Sequence, residues 1–328
     1  ALSLLRHSSP PNESFVFSPF SFNTALSIVN DGADGNTQKE LTDLLLKGCS
    51  PADVTDHYSS LVVSLPTTNT TGVSFKSANR FYVDNTISLK IDYQKRIQDK
   101  YKVKVNNIDL MNKERAAKEM NQFIVEATNG KIKGAITPGG ISDNDKAILI
   151  NAVHFLGKWK SPFKGRDTTT RSFKGSKGEI EMKFLTQHAT FSVNLNNDFG
   201  TVLLLPYRNE NYKFFCLMPK ESSNLEKMKN GLTGTQLLSL LKETKTELLE
   251  ILVPKFKVES TLNGITVLSK LGVKNLSDLR KISSTPLEIK KIHHKALIEI
   301  DEMGTEAAAV TIVQMGWLSG VWYPDVPK

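Results

Sequence analysis

Nine consecutive residues, Ala147-Ile148-Leu149-Ile150-Asn151-Ala152-Val153-His154-Phe155, narrow the choice of fold more than any other stretch of this sequence. A strand with one face in water alternates apolar and polar residues, and this one does not. It is expected at the centre of a sheet covered on both faces. Asn151 then needs a hydrogen-bond partner, because an unpaired buried amide costs about 1–3 kcal/mol.

Helices to cover such a sheet are predicted on both sides of it in the chain. Ser18 caps and Pro19 opens a helical pattern that runs from Asn23 to Asn30 and closes at Gly32. Glu40-Leu41 with Leu44-Leu45, Tyr93 to Tyr101, and Leu225 to Leu241 are further helical stretches. Between Glu114 and Thr128, Ala116, Met120, Phe123, Ile124 and Ala127 share one face, and Asn129-Gly130 supplies the stop. Ser77 to Val83, Met182 to Leu185, Val202 to Tyr207, Phe214 to Pro219, Leu248 to Val258 and Ile292 to Ile300 have strand patterns. The expected class is α+β, with one domain over residues 1–328 and a large central mixed sheet covered by helices. A length of 328 residues fits two domains at ~150 residues each, but no linker, charge block or repeat divides the sequence.

Composition removes several function classes. The net charge of +8 is spread along the chain. Its densest basic stretches, Lys290-Lys291 with Lys295 and Lys164 to Lys183, lack interleaved aromatics, so nucleic acid is not an expected partner. No apolar run reaches the ~18 residues of a membrane span. Two cysteines build no disulfide framework, and Cys216, between Phe215 and Leu217, is expected to be a buried, inert thiol. The patterns of zinc proteases, P-loops and nucleophile elbows are absent, so neither enzyme activity nor a cofactor or metal is expected. No signal peptide is visible. Sequons at Asn12, Asn69 and Asn275 are compatible with secretion, the favoured location, with an intracellular one as the alternative.

The segment Asp301 to Val313 is unusual. Ile298 and Ile300 alternate with polar neighbours, Gly304 interrupts, and Thr305-Glu306-Ala307-Ala308-Ala309 follow. Three alanines suit a helix or a spacer as well as a strand. As a strand, the segment would turn Thr305, Ala307, Ala309, Thr311, Val313 and Met315 toward a core, with no charge among them. Glu306, Ala308, Val310, Ile312 and Gln314 would face outward and carry the single charge. Beyond lie Trp317 and Leu318 between Gly316 and Gly320, large apolar residues in an exposed-looking setting.

Gly32 to Thr37, Asn121-Gln122-Phe123-Ile124 through Ile132, Asn151 to Phe163, Val253 to Val258, Leu268 to Val273, and the hinge from Asp301 together resemble the serpin family in the expected order. Phe123 stands where that family usually has Trp. The resemblance implies a monomeric inhibitor of chymotrypsin-like serine proteases, acting as a suicide substrate through a mobile reactive loop that inserts into the main sheet. Inhibition of a cysteine protease, or a non-inhibitory role as carrier, chaperone or storage protein, are the alternatives. It places the reactive bond at Leu318-Ser319 and the hinge at Glu302, Gly304, Thr305, Glu306, Ala307, Ala308 and Ala309. Ser18, Ser21, Asn151 and His294 form the implied shutter, with His294 bonded to Asn151. Trp159 and Lys255 form the breach, with Lys255 paired to Glu302 as a gate. Serpins continue past the loop with a hydrophobic segment that supplies core strands. Whether Thr305 to Leu318 lies outside the sheet or within it stays open at this level. A heparin-type basic helix after Asp56 is not expected, since His57 to Leu65 hold no Lys or Arg.

Overall fold

The computed structural model describes residues 2–10, 13–65, 72–175, 177–195, 197–220 and 225–317. Its helices are α1 (Leu2–Ser8), α2 (Pro19–Gly32), α3 (Gly35–Leu45), α4 (Pro51–Ser64), α5 (Ile91–Tyr101), α6 (Lys113–Ala127), α7 (Leu225–Gly231), α8 (Gly234–Lys242) and α9 (Gly264–Lys270). The strands are β1 (Val73–Asp84), β2 (Lys104–Ile108), β3 (Asp145–Lys158), β4 (Thr169–Gly175), β5 (Gly178–Asn194), β6 (Thr201–Pro206), β7 (Lys213–Met218), β8 (Lys245–Pro254), β9 (Phe256–Asn263), β10 (Leu287–Ile300) and β11 (Gly304–Trp317). Six form a mixed sheet in the order β2-β1-β3-β11-β10-β9, and β4 to β8 form a second sheet.

β3 sits inside the larger sheet with every residue from Asp145 to His154 buried. One face packs on α2, where Phe22, Leu26 and Val29 meet Leu149, Val313 and Met315. The other is roofed by α6, whose Met120 and Ile124 lie in one cluster with Ile148, Ile150, Ala308, Val310 and Ile312. Helix α2 begins where its sequence says it should: the Ser18 hydroxyl accepts from Ser21 N–H, and Pro19 fills the first turn. Helix α6 stops at Asn129 and Gly130, both in the left-handed region at φ 55° and 79°. Phe123 on α6 lies 4.3 Å beneath the Arg80 guanidinium, a cation–π contact that ties the helix to β1.

Two predicted elements divide. Leu248 to Val258 is two strands in different sheets, and the chain crosses from one to the other at Lys255. Leu225 to Leu241 is two helices: α7 ends at Gly231, and a capping box between Thr233 and Gln236 starts α8.

The structure answers the question that the sequence leaves open, where the segment after Gly304 lies. Residues 304–317 are a fourteen-residue strand, β11, placed between β3 and β10 and antiparallel to both. The outward-facing set is not solvated, since α6 covers it from Ala308 onward. The first and the penultimate residues of β11 are glycines pressed against neighbouring backbone. A Cβ at Gly304 would lie 2.0 Å from the Gly157 carbonyl oxygen, and one at Gly316 2.5 Å from that of Asn144. Gly304→Ala is therefore expected to force the start of β11 away from β3 and to destabilise this form by about 1–3 kcal/mol. A lowered urea midpoint measures the effect; an unchanged midpoint would refute the close packing.

Candidate functional site: the inserted strand and its anchors

The turn between β10 and β11 is held by the end of β3 and the segment after it. Three successive carbonyls accept hydrogen bonds: Asp301 from the Trp159 indole N–H at 2.9 Å, Glu302 from Phe163 N–H at 2.9 Å, and Met303 from Trp159 N–H at 2.9 Å. The Asp301 carboxylate closes the turn by accepting from the N–H groups of Met303 and Gly304. Trp159 is fixed in turn by stacking on Tyr207, with ring centroids 4.9 Å apart and planes 4° from parallel.

Glu302 accepts from Lys255 Nζ at 2.7 Å and from the Thr168 hydroxyl at 3.0 Å. The Lys255 bond holds the Glu302 carboxyl below its ordinary range, and the same bond raises the Lys255 ammonium. This pair, expected from the resemblance, is intact with β11 in the sheet and sits at the turn from which the strand starts.

Glu306 is the charged residue of the outward set, and it is paired on both oxygens. Oε1 lies 2.9 Å from His154 Nε2, and Oε2 lies 2.6 Å from Lys131 Nζ just past α6. Burial works to raise the Glu306 carboxyl, and the bonds to Lys131 and His154 outweigh it, leaving the group below the ordinary value. Thr305, Ala308 and Ala309 are buried, and Ala307 is half-buried.

Further along, Thr311 occupies the position between Asn151 on β3 and His294 on β10. The expected His294–Asn151 bond is absent for that reason: the inserted strand separates the two residues. His294 Nε2 accepts from Ser18 N–H at 3.0 Å, so Nδ1 carries the proton and donates to the Thr311 hydroxyl at 2.8 Å. The Thr311 and Ser21 hydroxyls are 3.0 Å apart and share a hydrogen bond. Asn151 turns the other way and donates to Asn79 Oδ1 at 2.6 Å. Gln314 donates to Asp145 at 2.7 Å and to the Gly140 carbonyl at 3.1 Å.

Thr311, Asn79, Lys131, His154 and Thr168 were not among the predicted site residues. The alternation along β11 already turned Thr311 inward, and that was the available signal. The other partners lie in β1, in β3, after α6 and before β4, where nothing in the linear sequence marks them. Leu318 and Ser319, the expected reactive bond, lie outside the described residues. Cys216 is pushed by burial to a pKa of about 11, so its thiol stays protonated at neutral pH.

The family described as Serpin (serine protease inhibitor) matches residues 1–321. The chain is 33% identical over 311 residues to "Serine protease inhibitor 42Dd" of Drosophila melanogaster, covering 92% of this chain and 82% of that protein. It is 33% identical over 322 residues to "Leukocyte elastase inhibitor A" of Mus musculus, covering 94% and 84%. Among solved structures it is similar to the thermophilic serpin tengpin in the latent state, at 25% identity and a TM-score of 0.87, covering 95% of this chain and 86% of that one.

The buried His294 makes the anchored strand sensitive to acid. Burial pulls its pKa from 6.5 to about 4. The unfolded chain then binds the proton more readily, so the stabilisation is complete above pH 6.5 and is lost as pH falls toward 4. The gap corresponds to about 3 kcal/mol. Urea unfolding at pH 7.0, 5.5 and 4.5 is expected to show this fall, and His294→Gln is expected to flatten it. Parallel pH profiles for the two proteins would assign the sensitivity elsewhere.

Proposed function

We propose, from the premise that this chain belongs to the serpin family, that it inhibits a chymotrypsin-like serine protease as a suicide substrate. The observation that carries the reading is β11 itself. β3 and β10 both run antiparallel to it and so lie parallel to each other, an arrangement in which they can pair directly when β11 is outside the sheet. The proposed cycle uses a five-stranded and a six-stranded form of this sheet, and the segment that distinguishes them precedes the proposed reactive bond.

The energetic scale supports a trap. A strand flanked on both sides gains about 1 kcal/mol net per backbone hydrogen bond plus apolar burial, on the order of 10 kcal/mol in sum. That is comparable with the whole stability of a typical domain, about 5–15 kcal/mol. In the proposed cycle the protease serine attacks the Leu318 carbonyl, the bond to Ser319 breaks, and the loop inserts while the acyl ester persists. Insertion carries the protease away and distorts it before water can complete hydrolysis. The protein's own residues supply no catalytic group.

Specificity follows from the loop composition. Leu318 preceded by Trp317 suits an apolar primary pocket, and no Lys or Arg occurs from Thr305 to Pro327. The name of the mouse relative, an inhibitor of leukocyte elastase, agrees with a preference for uncharged residues.

Incubation of the loop-out protein with chymotrypsin is expected to give a complex that survives denaturing electrophoresis. Thr311→Arg, which would bury a charge against His294 and Ser21, is expected to convert the protein into a substrate, cleaved without complex. Loop cleavage without a complex in the unsubstituted protein would favour a non-inhibitory carrier. A complex with papain but not chymotrypsin would favour a cysteine-protease target.

A further inference from the structure

Beneath the segment that follows α6 lies a cavity of about 260 Å³. Residues 134–137 and Gly140 form its roof, and its floor includes Ile148 of β3 with Ile312 and Gln314 of β11. Its rim toward β9 is Thr261, His293 and Lys295. Ile136, Ile148 and Ile312 are all buried, so the inner end is apolar. The rim is polar and basic: Lys295 Nζ pairs with Glu259 at 2.7 Å, and Lys291 Nζ donates to the Gly140 carbonyl at 3.1 Å. His293 is exposed there, with no hydrogen-bond partner among the described residues.

The strand registers order these groups in space. His293 stands beside Ile312, which stands beside Ile150, while Lys295 lies between Thr261 and Val310. A ligand crossing the sheet from β9 toward β3 meets a hydroxyl, the Lys295 ammonium and the His293 imidazole first, the last held below its ordinary pKa by partial burial and by Lys291, and then isoleucines. At ~30 Å³ per water the volume holds roughly nine waters, the bulk of a carboxylate with about eight carbons.

We propose that this cavity binds a medium-chain monocarboxylate, its alkyl tail on Ile148 and Ile312 and its carboxylate at Thr261, His293 and Lys295. Two floor residues belong to β11, so the site is complete only when that strand is in the sheet. Such a ligand binds the inserted form selectively, and by mass action it stabilises that form against the loop-out one. The site depends on the position of β11 and not on whether the protein traps a protease.

The test is calorimetric titration of the loop-inserted protein with octanoate, with octanamide as the neutral isostere. Octanoate is expected to bind saturably with a Kd of about 0.1–1 mM, the range open to a ligand of this size. Octanamide is expected to bind at least fivefold more weakly. Lys295→Gln with His293→Gln is expected to weaken octanoate fivefold or more. Ala135→Phe, which fills the cavity from the half-buried roof, is expected to abolish binding while leaving the thermal midpoint without ligand unchanged. Equal binding of octanoate and octanamide, undiminished binding by Ala135→Phe, or no saturable heat would overturn the site. Equal binding to the loop-out protein would overturn its dependence on insertion. Failure to trap chymotrypsin alongside normal octanoate binding would remove the inhibitor reading and leave this one standing.

Discussion

The hydrogen-bond ladder that β11 completes between β3 and β10 is the constraint on which the rest of the structure depends. It fills the middle of the sheet, so every group that would meet across a β3–β10 contact has to find another partner. His294 and Asn151 show how this is done. With Thr311 between them, His294 turns its proton to the threonine hydroxyl, and Asn151 donates to Asn79 on the opposite side. The Asn151 Oδ1 is left buried with no hydrogen-bond partner among the described residues. A direct bond between Asn151 and His294 requires β3 and β10 to be neighbours. In the proposed cycle the same amide serves two sheets, and its unpaired oxygen belongs to the inserted one.

This explains which parts were legible in the sequence. The apolar run of β3 dictates a central strand whichever residues pair with it, and the α6 face and its Asn-Gly stop are local patterns. The alternation in β11 likewise separates Thr311, Val313 and Met315, which face α2, from Ala308, Val310 and Ile312, which face α6. Whether β11 lies in the sheet is different in kind. A sequence able to pair in both arrangements carries the same periodicity in each, so periodicity cannot choose between them. Side-chain partners were illegible for a second reason. Lys131, His154 and Asn79 reach their partners only through register and through the path of the chain over the sheet.

At the breach, backbone contacts and side-chain charge contribute unequally to holding the turn. Lys255 and Glu302 are paired as the resemblance implies, but the pair closes on the turn that precedes β11 and outside the ladder itself. Both side chains keep some exposure, 38% and 21%, which limits their attraction to the scale of surface ion pairs. The three carbonyl hydrogen bonds from Trp159 and Phe163 do more to fix the turn, because they hold backbone and not a flexible side chain.

Charge falls away along β11 in the direction of the chain, and this gives the proposed insertion a preferred order. The first turn of the segment carries Asp301, Glu302 and Glu306, each with partners near solvent. From Ala307 to Met315 there is no charge, and from Ala308 onward every residue through Gly316 is buried. Starting at Met315 would require opening the apolar contact between the sheet and α2 before any ladder bond had formed. Starting at Gly304 requires only that the tethered turn fold down beside Gly157, where Glu306 can exchange water for His154 and Lys131. Each pair of ladder bonds then formed brings the next residue to the sheet, so the dry part of the strand is closed last. The Thr311 hydroxyl, halfway along, is the one polar side chain of the inward set beyond Thr305. The His294 and Ser21 bonds compensate its desolvation at the point where the strand passes beneath the helix roof.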